Sequence, residues 1–447
     1  MTRTLGRLAH WLHPGIGVKR WLALVLFSLA LFVLGLFVLV GQGLVRAVYN
    51  LVAPSALFAV GVGMGLVVLG IGGVLFGVHR VSRSIVRAIA ASAEGRIGEM
   101  LVEKRLLSQG PRIVAIGGGT GLSTLLRGLK HLTANITAVV TVMDDGGSSG
   151  RLRHELNILP PGDIRNCLIA LAEDESQISQ LFNHRFQGGT LQGHSLGNLV
   201  LAGLQEMKGS FDRAIEEMSR LLNTRGQVLP ATLEDTQLIA ELQDGRIIRG
   251  ESEIPKACGQ IRKIWLSRAN VPAYPKVLDE IRRADLIILG PGSLFTSVIP
   301  NLLVAGIREA IERAPAQKFY IMNLMTQPGE TDNFTASDHL RALGDYLDLR
   351  VLDVVVLNTQ PVPKELLAQY AQEGSVPVVD DLHEPNEWGI RIVRAELLDI
   401  VPLPRWPSIT QAPTVKHNSK ELARVIAANA PEVFSSWVQR LWRGGEG

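Results

Sequence analysis

Two cysteines, Cys167 and Cys258, are all that this chain of 447 residues carries, and no CxxC occurs. A disulfide framework and a four-thiolate zinc site are therefore excluded. Acidic residues are scarce in the first 110 positions, which hold 3 Asp/Glu against 11 Lys/Arg. The remaining positions hold 39 against 34. The basicity behind a pI near 8.9 thus belongs to the N-terminal segment, and the larger part of the chain is mildly acidic. That distribution excludes a general electrostatic grip on nucleic-acid backbones, and no nucleic-acid partner is expected. No internal repeat or low-complexity segment is present.

Charge is missing altogether from two long runs. Trp21 to Val40 is 20 residues with no charge and one hydroxyl, Ser28, and Ala56 to Val78 is 23 uncharged residues. At about 1.5 Å per residue each can cross a hydrocarbon core of about 30 Å. The first run is too long for a cleaved signal peptide, and no small-residue cleavage site precedes the second. A buried helical hairpin in a soluble core is the alternative, although such helices seldom stay uncharged for so long. Arg3, Arg7, Lys19 and Arg20 precede the first run, Arg80, Arg83 and Arg87 follow the second, and the stretch 41–55 between them has only Arg46. The positive-inside rule then places both termini and the large domain in the cytoplasm, behind a multi-pass anchor in the cell (inner) membrane. The external turn falls near Asn50 and Pro54, and Trp21 sits at the interface. Gly61/Gly65 and Gly73/Gly77 have GxxxG spacing, which suits helix packing between the spans or between protomers of a homo-oligomer. Residues 1–110 are read as this hairpin with its basic connector, and residues 111–447 as the cytoplasmic domain.

From Arg112 onward short apolar strands alternate with helical stretches. Expected strands are Ile113–Ile116, Ile136–Met143, Ile261–Leu266, Leu286–Leu289, Phe319–Asn323 and Val351–Leu357. This predicts an α/β fold with a mainly parallel sheet. Residues 151–230 read as mostly helical, a cap or insert. Two strand-like runs around Asp244-Gly245 predict a tight hairpin.

Ligands of such sheets bind where strands lead into helices, and the segments there are unusual. GGGTGLSTLL follows the first strand, with Gly118, Gly119, Thr120 and Gly121 at the turn. It offers close backbone approach and a helix N-terminus to an anion, or else a turn needed only for packing. Leu122 stands where the dinucleotide fingerprint needs its third glycine, and no Gly-Lys-Ser/Thr occurs. MDDGGSSGRLR follows the second strand. Asp144 and Asp145 suit Mg²⁺ or ligand hydroxyls, and Gly146, Gly147, Ser148 and Ser149, followed by Arg151, suit an oxyanion. In LPPGDIRN, Asp163 reads as a helix N-cap, with Arg165 and Asn166 in the first turn. GHSLGNL matches G-x-S-x-G around Ser195, but the polar NHRFQGGTLQ before it is no buried strand, which argues against a hydrolase. His194 and Asn198 read instead as a ligand-contacting helix start or a simple cap. GPGSLFTS, with Gly290, Gly292 and Ser293, repeats the strand–glycine turn–helix arrangement, and NLMTQPGET is a polar loop at another strand end.

Together GGGTGLS, DDGGSSGRLR, LPPGDIRN, GHSLGNL, GPGSLFTS and NLMTQPGET, in this order from about Arg112 to about Val425, resemble the bacterial gluconeogenesis-factor family, relatives of 2-phospho-L-lactate transferase. The resemblance implies a modified Rossmann-like fold with a nucleotide-type ligand across the strand ends. In the transferase branch a phospholactyl group passes from a guanylated donor to a deazaflavin with Mg²⁺. In the gluconeogenesis-factor branch the ligand is a UDP-sugar, and the role concerns cell shape and wall-precursor use rather than turnover. The membrane hairpin is an addition to shorter soluble members. The resemblance also places Tyr370 and Lys416-His417-Asn418 where the second branch contacts its ligand, although many relatives have Arg-His-Asp in the latter segment. The ligand expected is UDP-N-acetylglucosamine, with Mg²⁺ the one candidate cofactor.

Overall fold

The computed structural model describes residues 18–40, 56–89, 104–401 and 414–434. The expected external turn 41–55, the basic residues before Val18 and most of the connector lie outside these. The chain divides into two compact units, residues 1–103 and 104–447.

In the first unit helix α1 (Val18–Val40) packs along helix α2 (Ala56–Ile89). The contact is made by small residues. A Cβ on Gly70 would stand 2.8 Å from Phe32 Cβ, and one on Gly73 would stand 2.1 Å from Ser28 Oγ. Ser28 is thus buried in the seam. Gly61 and Gly65 face open space, so of the two GxxxG pairs the one containing Gly73 serves the helix pair. Leu26, Phe27, Val33, Val68, Leu69 and Leu75 are exposed. Val60–Gly77 is the one stretch among the described residues long and apolar enough to cross a membrane, with a mean hydropathy of 2.2; Leu24–Phe37 is a shorter apolar stretch.

The second unit is built on seven parallel strands: β1 (Ile113–Gly117), β2 (Ile136–Val140), β3 (Gln227–Pro230), β7 (Leu286–Leu289), β8 (Gln317–Ile321), β9 (Val354–Asn358) and β10 (Arg391–Ala395). Their order is β10-β9-β8-β7-β1-β2-β3. The inner strands are near-continuous aliphatic runs because both faces are covered. On one face Ile113, Ala115, Leu286, Ile288 and Val356 pack against helices α3 (Gly119–Leu129), α5 (Gly162–Leu171) and α14 (Ser419–Asn429). On the other face Val114, Ile116, Ile287, Leu289 and Val355 join a second core.

That second core includes a separate antiparallel sheet of β4 (Leu238–Leu242), β5 (Ile247–Arg249) and β6 (Ile261–Leu266). The hairpin at Asp244-Gly245 forms as expected, but Ile261–Leu266 pairs with β4 and is not a strand of the parallel sheet. Its burial alternates, whereas the central strands are buried throughout. β3 and β10 form the sheet edges and are too short and polar to stand out in the sequence. The stretch between β2 and β3 is the expected helical insert: α4 (Gly147–Leu156), α5, α6 (Glu175–Asn183), α7 (Leu196–Lys208) and α8 (Phe211–Leu221). A β11–β12 hairpin (Leu398–Val401, Thr414–His417) leads into α14 beside α3.

Strand order reverses between β1 and β7. The chain runs outward from β1 through β2 to β3, then returns to β7 and runs the other way. Such a switch point opens a crevice at the carboxyl ends of the strands. It falls between the two glycine turns.

Candidate functional site

The turn after β1 and the turn after β7 meet edge to edge. A Cβ on Gly121 would stand 2.4 Å from the Pro291 carbonyl oxygen, so only glycine permits the approach. A Cβ on Gly292 would stand 3.4 Å from the Gly118 carbonyl oxygen. Above this junction lies a cleft of about 430 Å³. Of the residues expected from sequence, Gly118, Gly119, Thr120, Gly121, Asp144, Asp163, Gly292, Ser293 and Lys416 line it. Gly290 is buried beneath, with φ +75°. The Asn323 side chain accepts from the Gly292 N–H at 3.2 Å, and Gln327 donates to Ser293 Oγ. The polar loop after β8 thereby fixes the second turn.

Asp163 does not cap its own helix. Helix α5 begins one residue earlier, at Gly162 with Pro161 as cap, and Asp163 Oδ2 accepts the Gly119 N–H of α3 at 2.7 Å. The insert thus holds the glycine turn in place. Burial, with the charge of Asp144, raises the Asp163 carboxyl to about 6 against the pull of Gly119 and Arg165.

The Asp144/Asp145 pair diverges. Asp144 lines the cleft, with Oδ1 accepting from the Gly146 N–H at 2.9 Å. Asp145 Oδ1 accepts from the Ser252 N–H at 2.9 Å, clamping the segment that begins at Gly250. This segment brings Glu251 to the cleft wall, a residue that no motif singled out. Burial, then the charges of Asp144, Asp163 and Glu330, raises Glu251 to about 8. Glu330, in the NLMTQPGET block, is raised by burial to about 7 although Thr296 Oγ1 donates to it at 3.1 Å. Among the described residues no three Asp, Glu, His or Cys side chains form a group able to hold a metal ion. A cation here would lean on Asp144, with ligand oxygens and water completing its shell, as Mg²⁺ commonly accepts.

Ser148, Asn166, His194 and Asn198 belong to a separate, largely buried network centred on Arg165. Arg165 donates to Ser195 Oγ, to Asn198 Oδ1 at 2.7 Å and to Asn166 Oδ1 at 2.8 Å. Asn198 Nδ2 donates to Ser148 Oγ at 3.1 Å, and Ser148 pairs with His194 Nδ1 at 3.0 Å. Burial, then Arg185, lowers Arg165 to about 10, and burial, then Arg151, lowers His194. Ser195 caps α7 and receives two hydrogen bonds, which leaves it no role as a free nucleophile. Ser149 packs under Gly162, Arg151 donates to the Gln192 carbonyl at 2.7 Å, and Gly146 and Gly147 form the α4 entry. None of these lines the cleft.

On the far side Tyr370 is also outside the lining, but its hydroxyl accepts the Val415 N–H at 2.8 Å and so positions β12. Lys416 and His417 of that strand do line the cleft. Burial, then Arg127, lowers the Lys416 ammonium, and burial lowers His417 to about 4.

The model of the family described as 2-phospho-L-lactate transferase CofD matches residues 113–398. A putative gluconeogenesis factor of Nostoc sp. is 46% identical over 429 residues, spanning 93% of this chain and 91% of the relative. The gluconeogenesis factor of Bacillus subtilis is 50% identical over 293 residues, 65% of this chain and 92% of that protein. A crystal structure of a Bacillus halodurans protein superposes with a TM-score of 0.66 at 46% identity, covering 71% of this chain and 99% of that one.

Proposed function

This chain belongs to the CofD family, alongside proteins named gluconeogenesis factors, and from that premise we propose that it binds a UDP-sugar, UDP-N-acetylglucosamine. The observation that carries the reading is the junction of two glycine turns at the switch point, beneath a cleft of about 430 Å³. With the Gly119 N–H held by Asp163 and the Gly292 N–H by Asn323, the backbone N–H groups of Thr120, Gly121 and Ser293 are the ones that can cradle a diphosphate without a Walker lysine. Asp144 and Glu251 suit the hydroxyls of a sugar, and Asp144 can share a Mg²⁺ with the phosphates.

In this reading the protein is a ligand-sensing regulator of cell shape, wall-precursor use and carbon metabolism rather than a catalyst. The hairpin anchors it in the inner membrane, with the large domain and both termini in the cytoplasm. Support for the anchor is the exposed apolar surface of α1 and α2 and the basic flanks. Cysteines introduced in 41–55 should label from outside intact cells, and cysteines in the large domain should not. Labelling of the large domain from outside would reverse the orientation.

Membership of a family described as 2-phospho-L-lactate transferase favours a second reading, which by the resemblance drawn from the sequence is transfer of a phospholactyl group from a guanylated donor to a deazaflavin with Mg²⁺. Calorimetry on the full-length protein separates the two. Binding of UDP-N-acetylglucosamine over GDP is expected. Tight GDP binding without UDP-sugar binding, or turnover of a deazaflavin acceptor, would move the protein to the transferase class.

A further inference from the structure

The chain enters and leaves the second unit at one place. Leu107, just after the unit begins at Lys104, and Phe434, the last described residue, are both buried and belong to the same core. Gln109, Gly110 and Pro111 of the incoming chain share a cavity of about 480 Å³ with Glu432 and Val433 of the outgoing chain. That cavity lies at the amino ends of the strands. Asp285 on its wall immediately precedes β7 and accepts the N–H of Arg112, just before β1, at 2.8 Å. The ligand cleft is at the opposite, carboxyl ends.

Residues 435–447, SSWVQRLWRGGEG, lie outside the described residues, and their composition departs from that of the domain. They combine Trp437, Val438, Leu441 and Trp442 with Arg440 and Arg443, and no acid occurs before Glu446. Of the seven tryptophans in the chain, three lie between positions 22 and 436. The other four are Trp11 and Trp21, at the first charge-free run, and the two here. Indoles have an apolar body and a polar N–H, and with arginines beside them they suit the headgroup level of an anionic membrane. The cavity at the amino ends of the strands carries Gln109, Asp285, Gln317 and Glu432, a poor seat for two indoles.

We propose that residues 435–447 bind the anionic cytoplasmic surface of the membrane, as a second attachment of the domain beside the chain that enters at Lys104. This rests on the anchor reading. Trp437 and Trp442 enter the headgroup region, Arg440 and Arg443 meet lipid phosphates, and Phe434 ties the segment to the core. Attachment at the amino ends of the strands leaves the cleft, at their carboxyl ends, open to the cytosol.

The test uses the full-length protein in lipid nanodiscs, with exposed Cys258 changed to serine and a fluorophore on Gln439→Cys. Nitroxide-bearing lipids should quench it in discs of phosphatidylcholine with phosphatidylglycerol. In discs of phosphatidylcholine alone the ratio of bound to free segment should be on the order of tenfold lower. The same drop is expected with the anionic lipid when Arg440→Gln and Arg443→Gln are combined. No quenching with the anionic lipid overturns the inference. Equal quenching with both lipids also overturns it, because the arginines then contribute nothing. So does a fluorophore shielded from water but not quenched, which puts the segment back on the domain. A fluorophore on Val68→Cys, an exposed position of α2, separates the two readings. Quenching at 68 but not at 439 overturns this inference alone, whereas no quenching at 68 overturns the anchor reading and this inference with it.

Discussion

The cleft and the Arg165 network are built from the same material, glycine-rich and hydroxyl-rich segments at helix starts, yet they differ in where their hydrogen bonds end. In the network Arg165, Ser195, Asn198, Ser148 and His194 close on one another, with Asn166 at the edge and Arg165 Nε left without a partner among the described residues. In the cleft Gln327 Oε1 and His417 Nε2 are unpaired among the described residues, and Glu251 is held well above its ordinary range. A polar cluster whose side chains close mostly on one another fixes a fold, whereas carboxyls and glycine turns lining an open cleft, as Asp144, Asp163, Glu251 and Gly118–Gly121 do, are poised for a ligand.

The sharpest way to break this contrast is to remove Arg165. Arg165→Ala leaves Ser195, Asn198 and Asn166 without their shared donor inside the insert. It should cost about 3–5 kcal/mol of stability by denaturant titration, while the folded fraction binds ligand normally. Intact stability with lost binding would place Arg165 in the site after all.

Gly121→Ala should do the opposite. The new Cβ collides with the Pro291 carbonyl and pushes the two turns apart, lowering UDP-N-acetylglucosamine affinity by on the order of 100-fold, about 2.7 kcal/mol. Undiminished affinity would show that the junction is only packing.

A third measurement uses pH. Glu251 has a folded-state pKa of about 8 against an ordinary value of 4.5. Below 4.5 it is protonated in both states and has no effect. Between 4.5 and about 8 only the unfolded chain loses the proton, so stability falls as pH rises, and above 8 the loss is complete. Glu251→Gln should remove roughly 2 kcal/mol of that decline, since Asp163 and Glu330 titrate beside it. An identical pH profile would mean that Glu251 is not confined in the cleft wall.

The smallest effect separates neighbours. Asp144→Asn should keep stability within about 1 kcal/mol and weaken ligand binding. Asp145→Asn should cost about 1–2 kcal/mol through the lost hold on Ser252. If both variants weaken binding alike and neither changes stability, the two carboxylates work as a pair.

The central strands, the helical insert and the Asp244-Gly245 hairpin were legible in the sequence because each depends on local hydrophobic period or turn chemistry. Both glycine turns were legible for the same reason, as was the acidic pair after β2. What residue order alone settled is the composition of the strand ends and the charge-free runs near the N-terminus. Tertiary structure decided which strand ends became neighbours. Strand order placed Gly121 against Pro291, turned Asp163 from its own helix to the Gly119 N–H, and sent Ile261–Leu266 to a second sheet. Glu251 reached the cleft only through Asp145's hold on Ser252, a contact across 107 positions. Local patterns are written in adjacent residues, whereas burial and hydrogen-bond closure depend on partners that only the folded chain brings together.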